Sequence, residues 1–233
     1  MDLFPLWNSL RVAGISTAII FFVGIFAAYY IAKAPRVVKG VLDVILTLPL
    51  VLPPTVVGFL LLRVLGPKRL VGAWFLETFG LRLTMTWWSA IFATAVVIFP
   101  LMYRTARGAF EAFDETLAHA GRTLGLSNTY VFWRIRLPAC RSGILAGTVL
   151  SFARALGEYG ATSMLAGYTP GRTATISTTV YQLWRTGDDA LALQWVLVNL
   201  AISAAVLLVV NLLERRPRPH RRSSRKTESI TTE

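Results

Sequence analysis

Residues 83–103 read LTMTWWSAIFATAVVIFPLMY, a run without one Asp, Glu, Lys or Arg. Coiled as a helix at 1.5 Å per residue, it reaches about 31 Å, close to the thickness of bilayer hydrocarbon. Working outward, Val12 to Ala32, Val44 to Leu62 and Ala190 to Leu213 are equally free of charge. A fifth run, Ser142 to Ala153, is shorter but continues through Arg154 and Glu158 into Tyr159 to Gly167. The reading is an all-α, polytopic helical membrane protein of about five transmembrane helices. Residues 1–213 form one transmembrane domain, a folded segment at 108–139 interrupts it, and 214–233 make a basic, disordered tail.

Composition agrees. Of 233 residues, 55% are apolar and 15% charged, against about 25% charged in soluble domains, which argues against a soluble enzyme. The balance of 24 Lys plus Arg over 12 Asp plus Glu gives +12. These cations sort by membrane side rather than gathering on one face, so no nucleic-acid partner is expected. The single Cys140 excludes an internal disulfide and a cysteine-based zinc site.

Orientation follows from the cations, which favour the cytoplasm beside short loops. Lys33, Arg36 and Lys39 follow the first run; Arg104, Arg107, Arg122, Arg134, Arg136 and Arg141 follow the third; Arg215 to Lys226 follow the last. All three sets share one side if five spans begin with the N-terminus outside and end with the C-terminus cytoplasmic. Arg63, Lys68, Arg69 and Arg82 run against this rule. The first run is longer than a signal-peptide core and is followed by cations, so it is expected to be retained. Thr173 to Trp184 would reach only about 18 Å and reads as a re-entrant or a surface helix.

The connection between the third and fourth runs is far longer than a hairpin needs. Asp114 is placed to cap a helix from Glu115 to Gly125, and Ser127 to cap a second from Asn128 to Arg136, stopped by Pro138. Two such helices would form a knob at the membrane surface.

Gly125, nine residues, then Ile135-Arg136-Leu137-Pro138 resembles the second half of the EAA loop in inner-membrane permeases of binding-protein-dependent ABC importers. Where that family carries Glu-Ala-Ala, this chain reads Ala118-His119-Ala120-Gly121, with Glu115 upstream. Leu48 to Gly58 and Phe152 to Thr162 are similar to core spans of molybdate permeases, and sulfate permeases share much of the second stretch. The resemblance implies a permease subunit that carries molybdate into the cell, with tungstate and sulfate or thiosulfate as alternatives. It implies a homodimer in the cell inner membrane, two ATP-binding subunits and an oxyanion-binding protein outside. ATP and Mg would be held by the partner, with no cofactor on this chain. The implied ATPase-coupling residues are Glu115, Ala118, His119, Gly121, Gly125, Ile135, Leu137 and Pro138.

Other residues speak physically. Pro49, Pro53 and Pro54 in one span remove backbone donors and must bend or break the helix. Broken backbone at membrane depth belongs inside a bundle or along a watery cavity, which makes this segment either a wall or gate of a pathway or a packing kink. Arg154 and Glu158 lie four apart within a span and are expected to share a helix face, so they either help a dianion across or lock two helices as an ion pair. Gly143, Gly147, Gly157 and Gly160 permit close helix approach. The chain carries no phosphate-binding Gly-x-x-x-x-Gly-Lys-Ser/Thr loop, no His-Glu-x-x-His and no Gly-x-Ser-x-Gly. Neither catalysis nor a metal site is expected on it. The alternative of another class is an ATP-independent channel or proton-coupled carrier using Arg154 and Glu158.

Overall fold

The computed structural model describes residues 2–214, with side chains through Leu208. Apart from Glu214, which closes the last helix, the expected basic tail lies outside the described residues. No strand occurs among them. Helix α1 (Phe4–Ala32), α5 (Trp87–Glu111) and α12 (Asp189–Glu214) each contain a stretch long and apolar enough to cross a membrane alone. Between the first two come α2 (Arg36–Val51) and α3 (Pro54–Leu65), bent by 113° at their junction, then α4 (Leu70–Phe79). After α5 follow α6 (Glu115–Thr123), α7 (Asn128–Tyr130), a π-helix (Val131–Arg136) and α8 (Leu137–Ala139). Then come α9 (Arg141–Leu156), α10 (Gly160–Leu165) and α11 (Ile176–Thr186).

The centre is α5, with α1 and α9 against it. Ile20, Ile98, Met102, Tyr103, Ala106 and Ile144 are among the buried residues of their shared core. Small residues set the spacing. A Cβ on Gly24 would stand 2.9 Å from Met102 Cγ, one on Gly143 2.7 Å from Ala109 Cβ, and one on Gly147 2.9 Å from Thr105 Cβ. Such contacts replace the missing hydrophobic drive between helices in lipid with close van der Waals packing. Gly157 does not take part, since nothing lies within 4 Å of its would-be Cβ. Buried Cys140 donates to the Ala109 carbonyl at 3.2 Å, joining the start of α9 to the end of α5.

Several boundaries differ from the sequence reading. Pro49 does not break its helix, because α2 continues to Val51. The break falls at the next two prolines, where Leu52 (ψ 141°) and Pro53 (ψ 136°) are both extended. Each precedes a proline, whose ring disfavours the α conformation in the residue before it. The 83–103 run begins its helix only at Trp87, where Thr86 and Ser89 cap reciprocally, and it extends to Glu111. The 173–184 segment begins its helix at Ile176 behind a second reciprocal cap, Thr175 with Thr178. Its entry is tied to α1: Asn8 donates to the Ala174 carbonyl at 2.8 Å, and Ser9 Oγ accepts from the Ile176 amide at 2.8 Å.

Candidate translocation pathway and coupling segment

The fifth run is not one helix. Helix α9 ends at Leu156, and Glu158 lies in the gap before α10. Arg154 and Glu158 therefore do not share one helical face. They meet across the break, with Arg154 Nη1 2.9 Å from Glu158 Oε2, an ion pair without hydrogen-bond geometry. Glu158 Oε1 accepts from the Ala161 amide at 2.9 Å, so the same carboxylate satisfies an otherwise orphan donor at the start of α10. Burial differs across the pair: the side chain of Glu158 is 1% exposed and that of Arg154 37%.

The two breaks are brought together. A Cβ on Gly160 would lie 2.8 Å from the Thr55 amide and 2.9 Å from Pro54 Cβ, and one on Gly58 would lie 2.7 Å from Ala161 Cα. Thus α3 rests on α10 backbone against backbone, and Pro54 sits beside the segment that Glu158 holds. Pro49 stands apart, a turn inside α2. Thr94 on α5 and Thr162 on α10 share a buried hydroxyl contact at 3.3 Å behind this junction.

In the segment expected to couple to a partner, Asp114 Oδ1 accepts from the Thr116 amide at 3.0 Å and Ser127 Oγ from the Tyr130 amide at 3.2 Å, so both expected caps are present. Helix α6 closes earlier than expected, at Thr123. Gly125 adopts φ +79°, its amide bonds the Arg122 carbonyl at 2.9 Å and the Leu126 amide the Gly121 carbonyl at 3.1 Å. That pair of bonds is a Schellman ending and requires a left-handed residue at 125. Pro138 does not stop the second helix, which widens into the π-helix and runs on to Ala139. Widening by one residue per turn accommodates a proline ring that would strike the carbonyl four positions back.

The halves close on each other. Ala118 and Gly121 are buried, and a Cβ on Gly121 would meet Ile135 Cδ1 at 3.0 Å and Val131 Cγ2 at 3.2 Å. Leu137 packs partly buried against the main core. Glu115 does not project freely: its Oε2 accepts from Arg136 Nη2 at 2.7 Å, and that bond holds the carboxyl below the usual range. Arg136 is buried between the rings of Tyr29 and Phe113, at 5.6 and 4.6 Å. His119 is exposed, with Nδ1 3.3 Å from Arg122 Nη1. Leu117, Leu124, Tyr130 and Trp133 remain exposed around this closed interior.

One cluster escaped the sequence reading. Asp43 on α2 pairs with Arg107 on α5 and accepts from Tyr103, while Glu111 pairs with Lys39 and, at 3.0 Å, with Arg107. The signal was present as Tyr103, Arg107 and Glu111 at four-residue spacing beside a lone Asp43 heading an apolar run. Among the described residues no group of three His, Cys, Asp or Glu could hold a metal ion.

A bundle of apolar helices, two of them broken at a shared junction, with a folded helix–turn–helix between spans, defines a polytopic membrane permease. The chain belongs to the family of binding-protein-dependent transport system inner membrane components, whose pattern matches residues 20–219. It is 40% identical over 216 residues to the molybdenum transport system permease protein ModB of Escherichia coli K12, covering 91% of this chain and 94% of that one. It is 38% identical over 193 residues to ModB of Haemophilus influenzae Rd, covering 82% and 84%. Its fold is similar to a bacterial ABC transporter involved in import of the acidic polysaccharide alginate, with TM-score 0.72 and 20% identity over 93% of this chain and 80% of that one.

Proposed function

We propose that this chain is the membrane-spanning subunit of an ABC importer that carries molybdate into the cell. Two copies enclose the pathway. Two separate ATP-binding subunits, with their ATP and Mg, take the coupling segments, and an oxyanion-binding protein docks on the outer side. The N-terminus is outside and the C-terminus cytoplasmic. The observation that carries this reading is the coupling segment: a self-closed unit, held by Glu115–Arg136 and Gly121, that displays Leu117, Leu124, Tyr130 and Trp133 outward. A rigid unit with an apolar exterior transmits force from a partner instead of yielding to it. The close identity to molybdenum permeases over most of the chain supports the substrate.

At the junction of the breaks, Glu158 holds Arg154 and the start of α10 at once, leaving part of the guanidinium accessible. An accessible cation lowers the barrier to a dianion inside the low-dielectric layer, and its carboxylate neighbour keeps the attraction weak enough for release. Proline-broken α2–α3, resting on α10 through Gly58 and Gly160, supplies the movable wall.

The test is uptake of radiolabelled molybdate into vesicles containing this chain, a candidate ATPase and a binding protein, with tungstate and sulfate as competitors. Accumulation that needs ATP and resists sulfate supports the proposal. Accumulation without ATP overturns the importer, and stronger competition by sulfate overturns the substrate.

A further inference from the structure

A cavity of about 650 Å³ opens where the end of α1 faces the second half of the coupling segment. Its α1 wall is graded. Phe26, Tyr30 and Lys33 follow one another at helical spacing, so the surface passes from ring to cation toward the helix end. Opposite stand Trp133, Asn128 and a second cation, Arg122. Lys33 donates to the Tyr29 hydroxyl and lies 3.9 Å from that ring's centre; Arg122 Nε donates to Asn128 Oδ1 at 3.1 Å. Neither cation enters a salt bridge among the described residues, and no carboxylate lines the cavity. Glu115, which both cations help to keep ionised, is itself bonded to Arg136.

Two cations that enter no salt bridge among the described residues, set above aromatic walls, call for an anion with an apolar body. Up α1 from the cavity, Phe22, Phe26 and Tyr30 form an exposed stripe four residues apart, the surface an acyl chain would follow. Basic pockets beside transmembrane helices on the cytoplasmic side are suited to phosphate headgroups. We propose that this cavity binds the phosphodiester headgroup of an anionic phospholipid, with its acyl chains along Phe22, Phe26 and Tyr30. The bound lipid ties α1 to the coupling segment. This rests on the membrane reading of α1 and on its end lying at the cytoplasmic surface, but not on the transported ion. A binding assay without ATPase or molybdate therefore separates it from the importer proposal.

The full-length chain in detergent is titrated with dioleoylphosphatidylglycerol, dioleoylphosphatidylcholine or inorganic phosphate, and bound species are counted by native mass spectrometry. Phosphatidylglycerol is expected to bind in preference to phosphatidylcholine, and Lys33→Gln with Arg122→Gln to weaken it about 25-fold, from about fivefold per cation near a membrane surface. Arg122→Lys, which keeps the charge, retains most of the affinity and shows that the fold tolerates change there. Arg134→Gln, outside the cavity, leaves binding unaltered. Equal binding of the two lipids, or full affinity in the double variant, overturns the site. Inorganic phosphate that binds without lipid and displaces phosphatidylglycerol overturns the lipid source in favour of a soluble phosphate.

Discussion

The two broken helices reach the same outcome by different chemistry. At Leu52–Pro54 the backbone itself forbids a helix: two prolines lack donors and force extended conformations on the residues before them. At Gly157–Tyr159 nothing forbids it. There a side chain does the work, with Glu158 caught between the Ala161 amide and Arg154. The first break is intrinsic to its segment, whereas the second depends on one carboxylate and on the first break packing against it. The junction is therefore most vulnerable at Glu158.

Glu158→Leu is the severest test of that contrast. It strands Arg154 and an N-terminal donor of α10, and breaking such a pair costs about 3 kcal/mol, the low end for buried pairs because Arg154 is partly solvated. Thermal unfolding in detergent is expected to fall accordingly and uptake to vanish. Glu158→Gln, which still accepts from Ala161, recovers much of the stability; if it is as damaging as Leu, capping is not the function of this carboxylate. Next comes Gly160→Ala, whose Cβ would strike the Thr55 amide at 2.8 Å, an overpacking cost of about 1–3 kcal/mol. Gly157→Ala, with open space around it, stays within about 0.5 kcal/mol. Equal losses at the two glycines would show that backbone freedom, not contact with α3, matters there.

Pro54→Ala is smaller still. The residue opens α3, where a proline is tolerated and mainly restricts the unfolded chain, so about 0.4–1 kcal/mol is lost and uptake persists. Loss of transport with the fold intact would mean that Pro54 acts in the pathway itself. The smallest effect lies away from both breaks. Arg136 depresses the Glu115 carboxyl, so its contribution is fully present above the unfolded value of about 4.3 and disappears as pH falls through the lower folded value. Hydrogen exchange across 114–138 should be insensitive to this pair between pH 7 and 5 and should rise only in stronger acid. Glu115→Gln removes that acid step. The change is below about 1 kcal/mol, since Glu115 is half exposed.

What could be read from the sequence follows the same division. Three of the apolar runs, the Asp114 and Ser127 caps, Gly125 and the Pro53–Pro54 break are properties of short segments, and the structure keeps them, whereas the run from Val44 is bent and the fifth is split. Contacts between distant segments were out of reach. No local pattern announces that Glu158 leaves its helix to cap the next, that Gly160 meets Thr55, or that Asp43 finds Arg107 across two helices. Helix α4 is not legible in this way because its ten residues are too few for a span and cations flank it on both sides. Among the residues proposed for coupling, Glu115, Ala118, Gly121 and Ile135 are drawn into one closed unit, while Pro138 lies inside a continuing helix instead of ending one.

Cys140 has a practical consequence. Its sulfur is buried and bonded to Ala109, and burial pushes the thiol above its usual range, so little thiolate exists at neutral pH. A maleimide offered to the intact chain will find almost no nucleophile. Reporter cysteines can therefore be introduced one at a time on the native background, without first removing the resident one and the contact it makes.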